Sequence, residues 1–500
     1  MQDASQILSK AMQLHQGGHA SAAKTEYLRV LKREPRNADA AHLLGLLLLD
    51  EGQADEALPY LDNAVEAAPG ISGFLSTRAV ALVYLGRLDA AIADYGSALA
   101  ISPDDAGLNY NCGLALAQKG DFQSARKAFS RAVSLKPDFA EAYGNLGIAH
   151  QELGEAENAV AAFEQALALQ PDSPVHLNNL GLALQESGRA NDALKAFELA
   201  LQLDSGNAQA LCNKGNLLSE MNDWSTASSA YSAALAQVPD LAEAHFGLGY
   251  VAFRTGDAAV AASRLSECIR HHPGDARALA YLSLVQGSFD SDPGAGPLVD
   301  FSRYPVQAVL DIPEWDLEDL RSHVRDHPSL KWEPPGKSTR TGSQTARMDE
   351  AEPGPVGSLA AVLRSWLDKH LKSIAVSPEH PHFFRVPETY ALAIWATVLV
   401  RQGRQLAHIH PNGWLSGVVY LTDSPVADSG DDPKAGCFEI GRFDPEMEPR
   451  SSSDSVFVSP KPGRVVVFPS YYFHRTVPFE AKHERISIAF DVEPMSYRYE

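Results

Sequence analysis

The sequence predicts a multidomain chain. Residues 1–285 read as an all-α solenoid of repeated helix pairs and 286–311 as a linker. Residues 312–500 read as short strands forming a sandwich or jelly roll with supporting helices. Three observations lead there. Prolines recur at a spacing of 34 residues through the first half: Pro35, Pro69, Pro103, Pro137, Pro171, Pro239 and Pro273, with Ser205 filling the gap in the series. The periodicity stops after Val285, where Gln286–Pro297 is rich in Gly, Pro, Ser and Asp. Beyond it, runs of β-branched and aromatic residues alternate with Gly and Pro turns. At 500 residues the chain also exceeds the ~250–300 residues at which one hydrophobic core stops growing.

Each repeat carries the same elements in the same order. A small residue stands in the first helix (Ala11, Gly45, Ala79, Gly113, Gly147, Gly181, Gly215, Gly249). A residue tolerant of positive φ then ends that helix (Gly18, Gly52, Gly86, Gly120, Gly154, Gly188, Asn222, Gly256). An alanine opens the contact face of the second helix (Ala23, Ala57, Ala91, Ala125, Ala159, Ala193, Ala227, Ala261), and a large residue follows four positions on (Tyr27, Leu61, Tyr95, Phe129, Phe163, Phe197, Tyr231, Leu265). The small residues let two helices approach and the large one fills the gap beside them, while proline ends the second helix. This pattern resembles the tetratricopeptide repeat in eight copies. The resemblance implies a right-handed superhelix whose first helices line a groove that holds protein or peptide. Asp275–Val285 has the apolar spacing of a closing helix.

Asn111, Asn145, Asn179 and Asn213 recur two residues before the small first-helix position. A primary amide both donates and accepts, so such a row suits an extended peptide backbone; it equally suits hydrogen bonds between neighbouring helices. Repeat-bearing enzymes that glycosylate proteins resemble this arrangement.

In the second half, helices are expected at Glu314–Asp326 and Val356–Lys372, and strands at Ala391–Val400, Gly417–Leu421, Gly463–Phe468 and Arg485–Asp491. His408-Ile409-His410 leads into the strand-like PNGWLSGVVYL; residues i and i+2 of a strand share a face, so both imidazoles can reach one ion. His474 follows GRVVVFPS, and Arg485-Ile486-Ser487 opens the last strand. Two close histidines, a distant third and an arginine suggest an iron site of facial type.

H-x-H-P-x-x-x-x-S-G-V-x-Y-L, G-x-V-V-x-F-P-S-x-x-x-H and R-x-S together resemble the 2-oxoglutarate–Fe(II) oxygenase superfamily, in particular a branch that often carries tetratricopeptide repeats. His327–Thr345 also looks like that branch, and the similarity spans roughly Ile312 to Val492. It implies a double-stranded β-helix of cupin type, with Fe(II), 2-oxoglutarate and O2 as cofactor and cosubstrates. It further implies His408 and His474 as metal ligands, and Arg485, Ser487 and Tyr420 as contacts of the distal carboxylate. His410 stands where most of the superfamily has Asp or Glu. The slot is open to His410 itself, to water, or to a carboxylate such as Glu439 or Asp444, and strand geometry favours His410. Trp395-Ala396-Thr397 stands where the branch reads W-x-N. The other second-half histidines, among them His380 and His382, are expected to be structural or solvated. The acidic stretch Asp423–Asp432 is expected to be a solvated loop.

Composition narrows the function. A formal charge of −21, acidic in both halves, argues against nucleic acid and anionic membrane as partners. Cys112, Cys212, Cys268 and Cys437 lie far apart, which suits a reducing compartment and not a cysteine–zinc site. No apolar run approaches the ~20 residues of a spanning helix, and the first residues lack the pattern of a signal peptide. The expectation is a soluble cytoplasmic hydroxylase acting on a side chain of a protein or peptide held by the repeats. The rivals are a scaffold with an inactive oxygenase domain, and a small-molecule oxygenase recruited through its repeats.

Overall fold

A computed structural model describes residues 3–286, 298–334, 336–348, 350–351, 354–423, 433–441, 455–480 and 483–498. The chain divides into two compact units, Met1–Leu217 and Leu218–Glu500.

The repeats form antiparallel helix pairs: α1 (Ala4–Gln16) with α2 (Ala20–Arg33), α3 (Ala38–Asp50) with α4 (Ala54–Ala67), α5 (Ser72–Tyr84) with α6 (Leu88–Ile101), α7 (Ala106–Lys119) with α8 (Phe122–Leu135), α9 (Ala140–Glu152) with α10 (Ala156–Leu169), and α11 (Pro174–Glu186) with α12 (Ala190–Leu203). Next come α13 (Ala208–Glu220), α14 (Trp224–Gln237), α15 (Ala242–Thr255), α16 (Ala258–His271) and the closing helix α17 (Ala276–Gln286). The expected turn residues all take positive φ, from 61° at Asn222 to 86° at Gly120. The small positions are small because their partners touch them. A Cβ added at Gly147 would sit 2.7 Å from the Phe163 ring, and one at Gly181 would sit 2.4 Å from Phe197. No ordinary Cβ contact is that short, so any larger residue would drive the helices apart.

In the second unit, β1 (Val306–Val309) precedes α18 (Glu314–Asp326), β2 (Lys331–Trp332), β3 (Thr339–Gln344) and α19 (Pro355–Ser373). Then follow β4 (Val386–Gln405), β5 (Leu415–Tyr420), β6 (Phe438–Gly441), β7 (Ser455–Val458), β8 (Arg464–Pro469), β9 (Phe473–Thr476) and β10 (Arg485–Arg498). A seven-stranded sheet runs β1-β8-β5-β10-β4-β3-β2 and a three-stranded sheet runs β7-β6-β9. Every pairing is antiparallel, which gives a jelly-roll-like domain. Val306–Val309 falls inside the stretch expected to be linker, yet it pairs with β8 as an edge strand. Residues 287–297 and 424–432 of the expected linker and acidic loop lie outside the described residues, as does Asp444.

Val356, Ala360, Leu363, Leu367 and Leu371 make a buried stripe on α19 at helical spacing, the supporting layer the sequence predicts. One hydrophobic cluster joins α17, through Leu279 and Leu282, to Leu320 of α18, Leu363 of α19 and the sheet residues Val419, Val466 and Ile488. The last helices and the sheet thus share a core.

Candidate active site

The inward face of β10 organises the site. Side chains alternate along a strand, so Arg485, Ser487, Ala489 and Asp491 point the same way. Their cross-strand neighbours extend the face into rows. Ser487 lies opposite Tyr420 of β5 and Thr397 of β4, Ala489 opposite Val418 and Trp395, and Asp491 opposite Ser416 and Ala393.

At one end of this face the three histidines converge. His408 forms an isolated antiparallel bridge with His474, through paired backbone hydrogen bonds of 3.1 Å, which joins the stretch before β5 to β9. The His408–His410 pair therefore precedes the strand instead of lying in it, and His410 is fixed by its own amide donating to the Ser470 carbonyl at 3.0 Å. Ring centroids are 4.3 Å apart for His408–His474, 4.8 Å for His410–His474 and 5.1 Å for His408–His410. One ligand nitrogen of each lies within 4.8 Å of the others.

The ring tautomers are set by what each Nδ1–H meets. His408 Nδ1 donates to the Leu406 carbonyl at 2.7 Å and His474 Nδ1 to the Tyr472 carbonyl at 3.0 Å. His410 Nδ1 donates to the Asp491 carboxylate at 2.6 Å. All three Nε2 atoms are thereby left as lone-pair donors, the arrangement that outer partners impose on metal-binding histidines. Burial pushes His408 down to about 3, with His410 adding to the effect, and burial holds His474 well below its ordinary value. The His408 and His474 rings are thus kept neutral, as ligation of a divalent cation needs. The donor set fits Fe(II).

Further along the face lies Arg485, 1% exposed. Its Nη1 donates to Thr476 Oγ1 at 2.9 Å, and the guanidinium carbon lies 5.2 Å from the centre of the Tyr420 ring, whose π face it meets. Thr476 stands two residues beyond His474 on the same side of β9, which sets the guanidinium next to the histidine cluster. No carboxylate among the described residues pairs with it: Asp491 is bound to His410 and Ser416, and Glu493 pairs with Arg347 at 2.9 Å. Burial lowers the Arg485 pKa from its ordinary value and pushes the Tyr420 phenol up to about 12. Arg485 Nε, Tyr420 Oη and Thr397 Oγ1 are all buried without a hydrogen-bond partner. A buried cation beside orphaned hydroxyls costs several kcal/mol unless an anion completes it. This set fits the carboxylate of 2-oxoglutarate. Ser487 is buried in the same row.

A cavity of about 470 Å³ opens onto His408 and His410 and is lined also by Trp395, Gln405, Arg347 and Glu493. That volume suits a small molecule or a single inserted side chain.

Other expected residues fall elsewhere. Glu439 lies opposite Arg475 and accepts its Nε–H at 2.7 Å, on the face of β6 away from Ile440 and its neighbour His474. It therefore does not take the third ligand slot. In the first unit, Asn145 donates to Tyr110 Oη at 3.1 Å and to the Glu141 carbonyl, and Asn213 donates to Asn178 at 2.9 Å. These amides join neighbouring helices, while Asn111 and Asn179 remain half-buried. The sequence offers Asp491 only as a salt-bridge partner for Arg485, a pairing it does not make, and leaves out Ser416 and Thr476; the signal for all three is their in-phase spacing with the candidate site residues. A second cluster, His245, Glu267 and His271, also has ligand atoms within reach of one another. There the Arg270 guanidinium already bonds Glu267 and lies 2.7 Å from His271 Nε2, so those atoms are committed.

Residues 393–491 match the family model described as "Putative 2OG-Fe(II) oxygenase". Tetratricopeptide-repeat models match residues 10–70, 80–120, 114–154, 138–206 and 212–276. The chain thus joins N-terminal tetratricopeptide repeats to a domain of the 2-oxoglutarate–Fe(II) oxygenase type. No curated protein matches it. Among solved structures, it is similar to the APC/C hetero-tetramer Cut9-Hcn1 at 19% identity and a TM-score of 0.40, over 56% of this chain and 55% of that one. It is also similar to a tetratricopeptide repeat protein from Parabacteroides merdae at 17% identity and a TM-score of 0.38, over 47% and 93%. A third is MamA, at 25% identity and a TM-score of 0.32, over 33% and 97%. The chain spans about half the length of the first of these.

Proposed function

We propose that the protein is an Fe(II)- and 2-oxoglutarate-dependent hydroxylase whose substrate is a side chain of a protein or peptide held by the repeats. The observation that carries this reading is the closeness of three Nε2-presenting histidines to a buried arginine that has no anionic partner among the described residues. His408, His410 and His474 would hold the metal. Arg485, with Tyr420 and Ser487, would bind the distal carboxylate of 2-oxoglutarate, which a guanidinium grips bidentately. When bound, the metal and 2-oxoglutarate would supply hydroxylation of a C–H bond by O2, one oxygen atom going to the substrate and the other to succinate as 2-oxoglutarate loses CO2.

The chain's own residues position and enclose. Trp395 packs 5.2 Å from His410, and Phe468 4.8 Å from His474, which shields the ligand cluster. The cavity admits one side chain, and the charged pair Arg347–Glu493 borders it where a peptide backbone would cross. The asparagine row Asn111, Asn145, Asn179 and Asn213 is the proposed seat for the rest of the polypeptide. Asn145 and Asn213 already bond neighbouring helices, and Asn179 Oδ1 accepts from Asn178 at 3.5 Å.

The test is succinate formation by the full chain with Fe(II), 2-oxoglutarate and O2, in the presence of peptide libraries. Wild type is expected to form succinate, and His474→Ala and Arg485→Ala to form none above background. Succinate formation unaffected by both substitutions would overturn the proposal.

A further inference from the structure

The expected carboxylate is missing from the ligand set, yet a carboxylate stands one hydrogen bond away. Resting on the proposed metal reading, we infer that Asp491 is a positioning residue. It fixes His410 toward the ion and supplies, through that imidazole, the negative charge a ligating carboxylate would otherwise bring.

The three histidines are not equivalent. The Nδ1–H groups of His408 and His474 meet neutral backbone carbonyls, whereas that of His410 meets the Asp491 carboxylate at 2.6 Å. A charge-assisted bond of this kind is stronger than a neutral one and makes the ring a better electron donor to its ion. His410 therefore differs from the other two, and it is the histidine in the slot where the superfamily places an acid.

The surroundings are built to hold Asp491 in place. It is 7% exposed and sits in the middle of β10, between Ser416 and Ala393 in register. Its Oδ1 also accepts from Ser416 Oγ at 2.6 Å, and Ser416 Oγ lies 2.8 Å from Ser470 Oγ. Ser470 in turn accepts the His410 amide through its carbonyl, so one small network holds both the imidazole and its acceptor. Gly413 closes the turn over them. A Cβ there would come within 2.6 Å of Ser470 Oγ and 3.2 Å of the Asp491 carboxyl carbon, so the turn approaches this closely only with glycine. No guanidinium or ammonium among the described residues pairs with Asp491, so its charge is directed at His410.

The experiment uses the full chain, titrated anaerobically with Fe(II) and then 2-oxoglutarate while the visible metal-to-ligand charge-transfer band is followed. Asp491→Asn keeps an acceptor for His410 and removes the charge. It should weaken Fe(II) binding by roughly 10–100-fold, and shift the band to shorter wavelength because the iron is less electron-rich. Ser416→Ala removes a donor that competes for the same oxygen, so its band should move the other way, to longer wavelength. It keeps the test alive if Asp491→Asn fails to fold, which the far-UV spectrum of the apoprotein reports. Wild-type affinity and an unmoved band in folded variants would overturn the inference and leave the hydroxylase reading intact. No band in wild type would instead overturn that reading.

Discussion

Arg485 is held in the fold at an energetic cost, and that cost is measurable. Its guanidinium is buried with Nε unbonded and without an acidic partner among the described residues. Replacing even a buried ion pair by apolar residues of similar volume is often neutral or stabilising, by about 1–4 kcal/mol. Arg485→Met is therefore expected to raise the melting temperature of the apoprotein while abolishing the effect of 2-oxoglutarate on it; a variant less stable than wild type would show that the cation is already satisfied. A second residue-scale expectation concerns acid. Burial pushes His380 down to about 4 and His382 to about 3, and His380 Nδ1 accepts from the amides of His382 and Phe383 at 3.1 and 3.2 Å. Both rings are neutral in the fold but titrate near 6.5 when unfolded. Between those values the unfolded chain binds more protons, so stability is full above about pH 6.5 and falls as the pH drops below it. Thermal melts from pH 8 to 4 should follow that course, and a melting temperature that held or rose on acidification would contradict it. The histidines and Arg485 were legible because spacing and flanking residues mark them. Asp491 was not, since a strand residue six positions from an arginine carries no mark of the imidazole that folding brings to it.

The decisive element is β10, which carries Arg485 at its start and Asp491 six residues later on the same face, with Ala489 between them. Sequence placed its beginning correctly but stopped it at Asp491, whereas the strand runs to Arg498. The extension pairs with the early part of β4, where Pro494 and Ser496 mark irregular register that no alternation pattern would reveal. The short strands β6, β7 and β9 were missed because four residues hold too little periodicity, and the bridge from His408 to His474 is a tertiary event. The helix pairs were fully legible, since each contact is repeated eight times at one spacing. Element α17 joins the two textures. Leu279 is fully buried in the cluster shared with α18, α19 and the sheet. Leu279→Ala should cost about 2–5 kcal/mol and lower the melting temperature of the oxygenase domain with it. A chain beginning at residue 286 should be insoluble, because it bares the sheet side of that cluster. A soluble, cooperatively melting product would show that the helix is dispensable.

For the whole molecule, the proposed function assigns polypeptide capture to the repeats and oxidation to the sheet domain. A chain beginning at residue 204 lacks the first six helix pairs and retains the second compact unit. It should bind Fe(II) and 2-oxoglutarate as the full chain does, and show a KM for a peptide substrate raised at least tenfold. Equal KM would assign substrate recognition to the cavity alone. The proposed metal centre is probed by adding Fe(II) and then 2-oxoglutarate to the anaerobic apoprotein. The wild type is expected to show a visible charge-transfer band that His408→Ala and His410→Ala abolish and Arg485→Ala weakens. A folded, iron-loaded protein without that band, or a band indifferent to His410→Ala, would contradict the three-histidine centre.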